Sequence, residues 1–235
     1  MNPRARRRIT LALALAAFAV VAASAFVTTR QGSASSAPTS VPAPASRTPT
    51  VAMIGDSVTY AAVPTLAREF EAAGWDADIE AHPGDLFRDR QAIAEQLASR
   101  NPDVVVINLG TNDELCIEAN QPGSGLIPCR FPAFEARDVT DDMTAMVDLF
   151  PVDRTCVVGV LPTSAPGATA LWRFRELAGG VTGLADWGGE SRAHLEVLWD
   201  PVGHLSEIGL ERYATFITSE VRRICGPKLD AVAAG

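Results

Sequence analysis

Three short runs in this chain are almost wholly apolar, and two of them end on compact polar clusters. Val51-Ala52-Met53-Ile54 leads into Gly55-Asp56-Ser57. Val104-Val105-Val106-Ile107-Asn108-Leu109 leads into Gly110-Thr111-Asn112-Asp113, and the third run occupies residues 155–161. A half-exposed strand alternates apolar and polar residues, whereas a strand covered on both faces reads as a continuous apolar run. Between these runs the apolar spacing turns helical. The pattern predicts helices over residues 58–73, closed by Gly74, over 87–99, with Pro102 beyond, and over 134–149 and 169–178. It predicts a last helix over 206–225, with Ser206 as N-cap and Glu207 in the first turn. Residues 76–81 and 181–187 read as further strands. Alternating strands and helices predict an α/β fold, a three-layer α/β/α sandwich around a central, mostly parallel sheet of about five strands. Such sheets bind ligands at the carboxyl ends of their strands, so both polar clusters should reach the same edge.

The segment before this pattern concerns targeting. Arg4, Arg6, Arg7 and Arg8 precede an almost wholly apolar run over residues 9–27. That is the layout of a secretory signal, and Ala23-Ser24-Ala25 supplies the small residues a signal peptidase reads. The run of 19 residues is also close to the length that crosses a bilayer, with the arginines on the cytoplasmic side. Residues 1–27 are therefore read as a signal peptide or an N-terminal membrane anchor. Both place the remainder outside the cytoplasm, secreted in one case and tethered through residues 9–27 in the other. Residues 28–49 are rich in Ser, Thr, Ala and Pro without a hydrophobic period, and read as a disordered linker. The folded domain is expected over 50–228, with a frayed tail after Cys225.

Charge separates along the same boundary. Six of the 20 basic residues precede residue 51 and none of the 28 acidic ones does, which leaves the domain at a formal −14. That balance argues against nucleic acid as a partner, because phosphate neutralisation needs clustered Lys and Arg. Four cysteines, Cys116, Cys129, Cys156 and Cys225, lie in the exported part. An even count in an oxidising compartment suggests two disulfides. Cys116 and Cys129 flank the turn-rich segment Gln121-Pro122-Gly123-Ser124-Gly125, which favours a local bridge, with Cys156 and Cys225 as the remaining pair. The alternative leaves the last two as buried free thiols. No cysteine pair has the short spacing of a zinc site, so no metal is expected.

Ser57 stands where a strand ends and a helix begins. Backbone N–H groups and the helix dipole there favour developing negative charge. A serine hydroxyl still needs a base. Of three histidines, His82 follows the second strand, and His194 lies among charged neighbours as a surface residue. His204 sits in Asp200-Pro201-Val202-Gly203-His204-Leu205-Ser206, with an acid close by. Asp56 and Asp113 are expected to be turn and cap formers, and Arg173 and Arg175 to form a solvated helix face. Trp187 and Trp199 are expected to pack near strand ends, the alternative being an aromatic substrate cleft that they would share with Trp172.

In the order and placement of these motifs the chain resembles the SGNH (GDSL-type) hydrolases. Gly55-Asp56-Ser57 matches the family's nucleophile motif, and Gly110-Thr111-Asn112-Asp113 its GxND motif. Gly84 in Ala81-His82-Pro83-Gly84 falls where the family has its glycine, and His204-Leu205-Ser206 matches the C-terminal histidine motif. The resemblance implies an SGNH/flavodoxin-like fold and a cofactor-free serine esterase. Ser57 would attack the ester carbonyl and His204 would carry the proton. Asp200 would orient the imidazole. The Ser57 and Gly84 N–H groups and the Asn112 amide would form the oxyanion hole. The pattern departs from the family at two points. Val58 replaces the usual Leu. Asp200 lies four residues before His204 instead of three, with Gly203 as the extra residue. A glycine can absorb one extra residue as a bulge. The alternative is a dyad assisted by a backbone carbonyl.

The implied substrate is a small-molecule, lipid or glycan acyl ester, and the chain is expected to act as a monomer. An acyltransferase or deacylase acting on cell-envelope glycans, and a non-catalytic SGNH-like binding module, remain open. A metal-dependent phosphoesterase lacks ligands, since the three histidines are scattered.

Overall fold

The computed structural model describes residues 46–235. The expected leader over 1–27 and most of the linker lie outside the described residues. Among the described residues no helix is long and apolar enough to cross a membrane.

Five parallel strands form one sheet in the order β2-β1-β3-β4-β5: β1 (Thr50–Gly55), β2 (Asp76–Ala81), β3 (Val104–Asn108), β4 (Cys156–Val160) and β5 (Gly183–Ala185). The helices are α1 (Ser57–Ala72), α2 (Gln91–Ser99), α3 (Thr111–Ala119), α4 (Ala136–Asp148), α5 (Pro166–Leu177), α6 (Trp187–Ala193) and α7 (Glu207–Ala234). Successive side chains on a strand point to opposite faces, and here each set has its own apolar layer. Val51, Met53, Val104, Val106 and Val158 pack with α1 and α7 residues such as Leu66, Phe70, Ile217 and Val221. Ala52, Ile54, Val105, Ile107 and Val157 pack with Leu97, Met143, Met146 and Trp172 from α2, α4 and α5. The continuous apolar runs thus follow from a sheet covered on both sides, as the sequence pattern requires.

The connections run from β1 outward to β2 and then back past β1 to β3. The carboxyl ends of β1 and β3 therefore flank a point where the winding reverses, the usual position of a ligand crevice. A buried polar cluster braces the sheet just below it. Asn108, the last residue of β3, donates through Nδ2 to the Tyr213 hydroxyl on α7 at 2.7 Å and to Thr59 Oγ1 on α1 at 3.1 Å. Trp187 packs edge-on against Tyr213 with ring centroids 5.0 Å apart.

Both disulfides are formed, Cys116 with Cys129 and Cys156 with Cys225. Two boundaries differ from the sequence reading. The linker is not disordered to residue 49. Arg47 makes a two-point pair with Asp103, at 2.8 and 2.7 Å, and Ser46 Oγ donates to the Ala233 carbonyl at 2.6 Å. Such fork-shaped pairs fix orientation as well as charge, and here one fixes the chain ahead of β1. The terminal helix does not fray after Cys225. Val221, Cys225 and Leu229 recur every fourth residue and are all buried, so the apolar face of α7 carries it past Pro227 to Ala234.

Candidate active site

The loop from β1 into α1 sets the first residue. Asp56 is the N-cap, and its Oδ1 accepts the Val58 N–H at 3.0 Å. This places Ser57 in the first turn, where no intrahelical carbonyl reaches its N–H. Burial pushes the Asp56 carboxyl up to about 6, against the opposing effects of the Val58 N–H and the nearby His204.

Ser57 Oγ lies 3.1 Å from His204 Nε2, and His204 Nδ1 lies 2.6 Å from Asp200 Oδ2. When Nδ1 donates to the carboxylate, Nε2 is left free to accept the serine proton. The other carboxylate oxygen, Oδ1, accepts the N–H groups of Val202, Gly203 and His204 at 3.0, 3.0 and 3.1 Å. One side chain thus both folds the loop and orients the ring. Partial burial pulls the Asp200 carboxyl upward, but the His204 ring and the His204 and Gly203 N–H groups outweigh it and hold the group below its ordinary range.

The extra residue between acid and histidine is accommodated at Gly203, whose φ is +112°. Backbone in that region favours glycine, so the loop closes with both side chains on one side. The loop sits on a narrow hairpin. Leu198 bridges Leu205, the Trp199 N–H donates to the His204 carbonyl at 2.8 Å, and the Ser206 N–H donates to the Val197 carbonyl at 2.9 Å. The β4–α5 loop supports it from below, through Ser164 Oγ donating to the Val202 carbonyl at 2.7 Å.

Asn112 lies in the first turn of α3, and one Nδ2 hydrogen goes to the Asp85 carbonyl at 3.2 Å. A second hydrogen on that amide is left over. Gly84, with φ +80°, precedes Asp85 in the turn after β2, and its N–H has no acceptor among the described residues. Three elements thus bring Ser57, Gly84 and Asn112 to the edge the sequence pattern predicts. Beneath them, Asp113 Oδ1 accepts the Phe87 N–H at 3.2 Å while its buried Oδ2 has no partner among the described residues. Burial pushes this carboxyl up to about 7.

The remaining expectations divide. His194 is a surface residue 3.3 Å from Glu196, and His82 stands 3.0 Å from Asp85. Trp187 is buried as expected, but Trp199 does not pack near a strand end and is 79% exposed. Its neighbours Leu198 and Leu205 take the core side of the hairpin, so Trp199 is turned outward. Arg173 is solvated, whereas Arg175 is largely covered, with its side chain 16% exposed and paired to Asp148 at 2.6 Å. Residue reading missed Asp85, whose carbonyl accepts from Asn112, and Ser164, which bonds the loop that carries Asp200 and His204; neither carries a motif.

No family model matches the chain, and no curated protein matches it in sequence. Solved structures do match. The C-terminal catalytic domain of Streptococcus pneumoniae peptidoglycan O-acetyltransferase A, carrying a methylsulfonyl adduct, superposes with a TM-score of 0.52 at 20% identity, over 75% of this chain and 94% of that one. A structure described as a GDSL-like lipase from Parabacteroides merdae gives a TM-score of 0.53 at 13% identity, over 77% and 99%. This is the SGNH (GDSL-type) hydrolase fold. A variant of Axe2, an acetyl xylan esterase from Geobacillus stearothermophilus, shares the SGNH fold with a TM-score of 0.53 at 16% identity, over 76% of this chain and 94% of that one.

Proposed function

We propose that this chain is an exported serine esterase or acyltransferase that cleaves acyl esters through Ser57, His204 and Asp200. The observation that carries the reading is the unbroken hydrogen-bonded relay from Ser57 Oγ through the His204 ring to Asp200. In the first step the Ser57 hydroxyl proton passes to His204 Nε2. The Oγ–carbon bond forms, and the carbonyl electron pair moves onto oxygen. The Ser57 and Gly84 N–H groups and the free Asn112 hydrogen receive that oxyanion, each such donor contributing about 3 kcal/mol. Asp200 stabilises the imidazolium. Collapse expels the alcohol, which takes the proton from His204, and leaves an acyl-Ser57. Water then releases the acid, or a second hydroxyl takes the acyl group.

Hydrolysis and transfer share this first half. Sulfonylation in the Streptococcus pneumoniae acetyltransferase structure suggests the probe. The full chain is treated with a sulfonyl fluoride and the adduct located by peptide mass, alongside turnover of 4-nitrophenyl acetate. An adduct on Ser57 that disappears in Ser57→Ala, together with ester turnover, supports the reading. A folded chain with neither adduct nor turnover overturns it in favour of a non-catalytic module. Two disulfides support export to an oxidising compartment.

A further inference from the structure

Of the four tryptophans, Trp75, Trp172 and Trp187 are buried, at 5%, 0% and 2% exposure, while Trp199 is 79% exposed. Its position on the hairpin is specific. Leu198 and Leu205 form the bridge, so the next pair outward is Trp199 and His204, joined by the Trp199 N–H to His204 carbonyl bond. Directly opposed residues share a face of the ribbon, with Cβ atoms about 5 Å apart. Leu198 and Leu205 take the core face, and alternation sends Trp199 and His204 to the other. His204 reaches Ser57 from that face. The indole therefore lies on the hairpin face from which His204 reaches Ser57. On α1, Tyr60 lies three residues after Ser57, on the same helix face, and is 56% exposed.

We propose that Trp199 is the stacking platform for the sugar ring that bears the ester, so that the substrate is an acylated, neutral pyranose glycan. The proposal rests on the esterase reading and names its substrate class. An indole offers a flat apolar face with a negative quadrupole. A pyranose presents weakly positive axial C–H groups from one face and hydroxyls from its edge, which fits an aromatic rim open to water. The rival occupant is a lipid surface. Residues 195–211 carry Glu196, Asp200, Glu207 and Glu211 and no Lys or Arg, within a domain of formal charge −14. Anionic headgroups are repelled by such a segment. The other exposed apolar residues there are Leu195, Val202 and Ile208, and Leu195 and Ile208 each adjoin a carboxylate. A neutral hydroxylated ligand meets no such penalty.

Because three tryptophans are buried, acrylamide quenching of the full chain reads Trp199 almost alone. In the Ser57→Ala background, O-acetylated xylo-oligosaccharides and O-acetylated chito-oligosaccharides are titrated in parallel with phosphatidylglycerol–phosphatidylcholine vesicles. Saturable protection by either glycan, with a blue shift that is absent in the Trp199→Ala double variant, is the expected result. Protection by vesicles alone, or by none of the three, overturns the proposal. In the Ser57 parent, Trp199→Ala should lower kcat/KM for the O-acetylated glycan at least tenfold more than for 4-nitrophenyl acetate. The loss should fall mainly on KM, and Trp199→Phe should recover most of it. Equal losses on both esters would make Trp199 a shaping residue of the hairpin and overturn the proposal. Absence of a Ser57 adduct and of turnover on both esters would instead defeat the esterase reading, and the quenching titration would still decide the glycan claim.

Discussion

Asp200 has two separable jobs, and one substitution distinguishes them. Its Oδ1 gathers three backbone N–H groups while Oδ2 meets His204 Nδ1. In Asp200→Asn the amide oxygen can keep the three backbone bonds, so the hairpin should survive with a melting temperature close to the parent's. The NH2 group then faces Nδ1 and forces the opposite ring tautomer, which cannot accept the serine proton. The expected loss is in kcat, about 10³- to 10⁴-fold, with KM little changed. An unchanged kcat would instead support a dyad oriented by a backbone carbonyl. Asp113 makes a different kind of test. Its folded carboxyl titrates near 7 against an ordinary value of 3.8, because burial disfavours the charge. The folded state therefore holds a proton that the unfolded chain releases earlier, and this residue's contribution to stability falls as pH rises from about 4 to about 7. Asp56, raised to about 6, acts in the same direction, and Asp103, lowered by its Arg47 pair against the opposing effect of burial, acts in the other. The Asp113→Asn chain should therefore gain stability relative to the parent as pH rises through that window, read from urea midpoints at pH 4.5 and 7.5. A constant difference between the two chains would contradict the burial argument.

At the scale of elements, the hairpin that carries Asp200 and His204 depends on one backbone conformation. Gly203 has φ +112°, and an added Cβ would stand 3.1 Å from Thr163 Cβ. Gly203→Ala should cost about 1–3 kcal/mol of strain. The strain falls on the residue next to His204, so kcat/KM should drop at least tenfold while the sheet stays intact by circular dichroism. Parent-like kinetics would mean that the loop tolerates another path. The extra residue was legible in the sequence, and so was its remedy, because only glycine offers that freedom cheaply. The strands and most helices were legible for a similar reason: a sheet covered on both faces leaves continuous apolar runs. Helix α3 was not. Thr111-Asn112-Asp113-Glu114-Leu115-Cys116-Ile117-Glu118-Ala119 has no apolar stripe, and only Asp113 and Cys116 are buried. Asp113 and Glu114 in its first turn, the disulfide at Cys116, and Glu114 Oε2 accepting the Gly167 and Ala168 N–H groups at 2.9 and 3.1 Å define it instead. Those contacts are long-range, and a local pattern cannot carry them. Trp199 was misread for the opposite reason. Hydropathy assigns an indole to the core, but the outward turn of that position is set by its partners across the hairpin.

Across the whole molecule the two disulfides should fail in different ways, although chain statistics alone make them similar. Bridges closing separations of 69 and 13 residues are worth about 4 and about 3 kcal/mol by loop entropy. Cys156 opens β4, at the end of the sheet opposite Ser57, and Cys225 ties it to α7. Replacing both with alanine should lower the melting temperature and leave kcat/KM near the parent value, because the carboxyl edge is braced separately by Asn108, Tyr213 and Thr59. Cys116 lies four residues after Asn112, on a helix of nine residues that is marginal without outside support. Releasing it from Cys129 should lower stability and also let α3 shift, which would withdraw the Asn112 amide from the oxyanion site proposed above. The Cys116→Ala/Cys129→Ala chain should therefore lose kcat, at least tenfold, at temperatures well below its melting transition. Equal kinetics in both double variants would show that Asn112 is positioned by its bond to the Asp85 carbonyl alone. Mild reductant should reproduce the pattern in the parent chain, with activity falling before global unfolding only where the α3 bridge is opened.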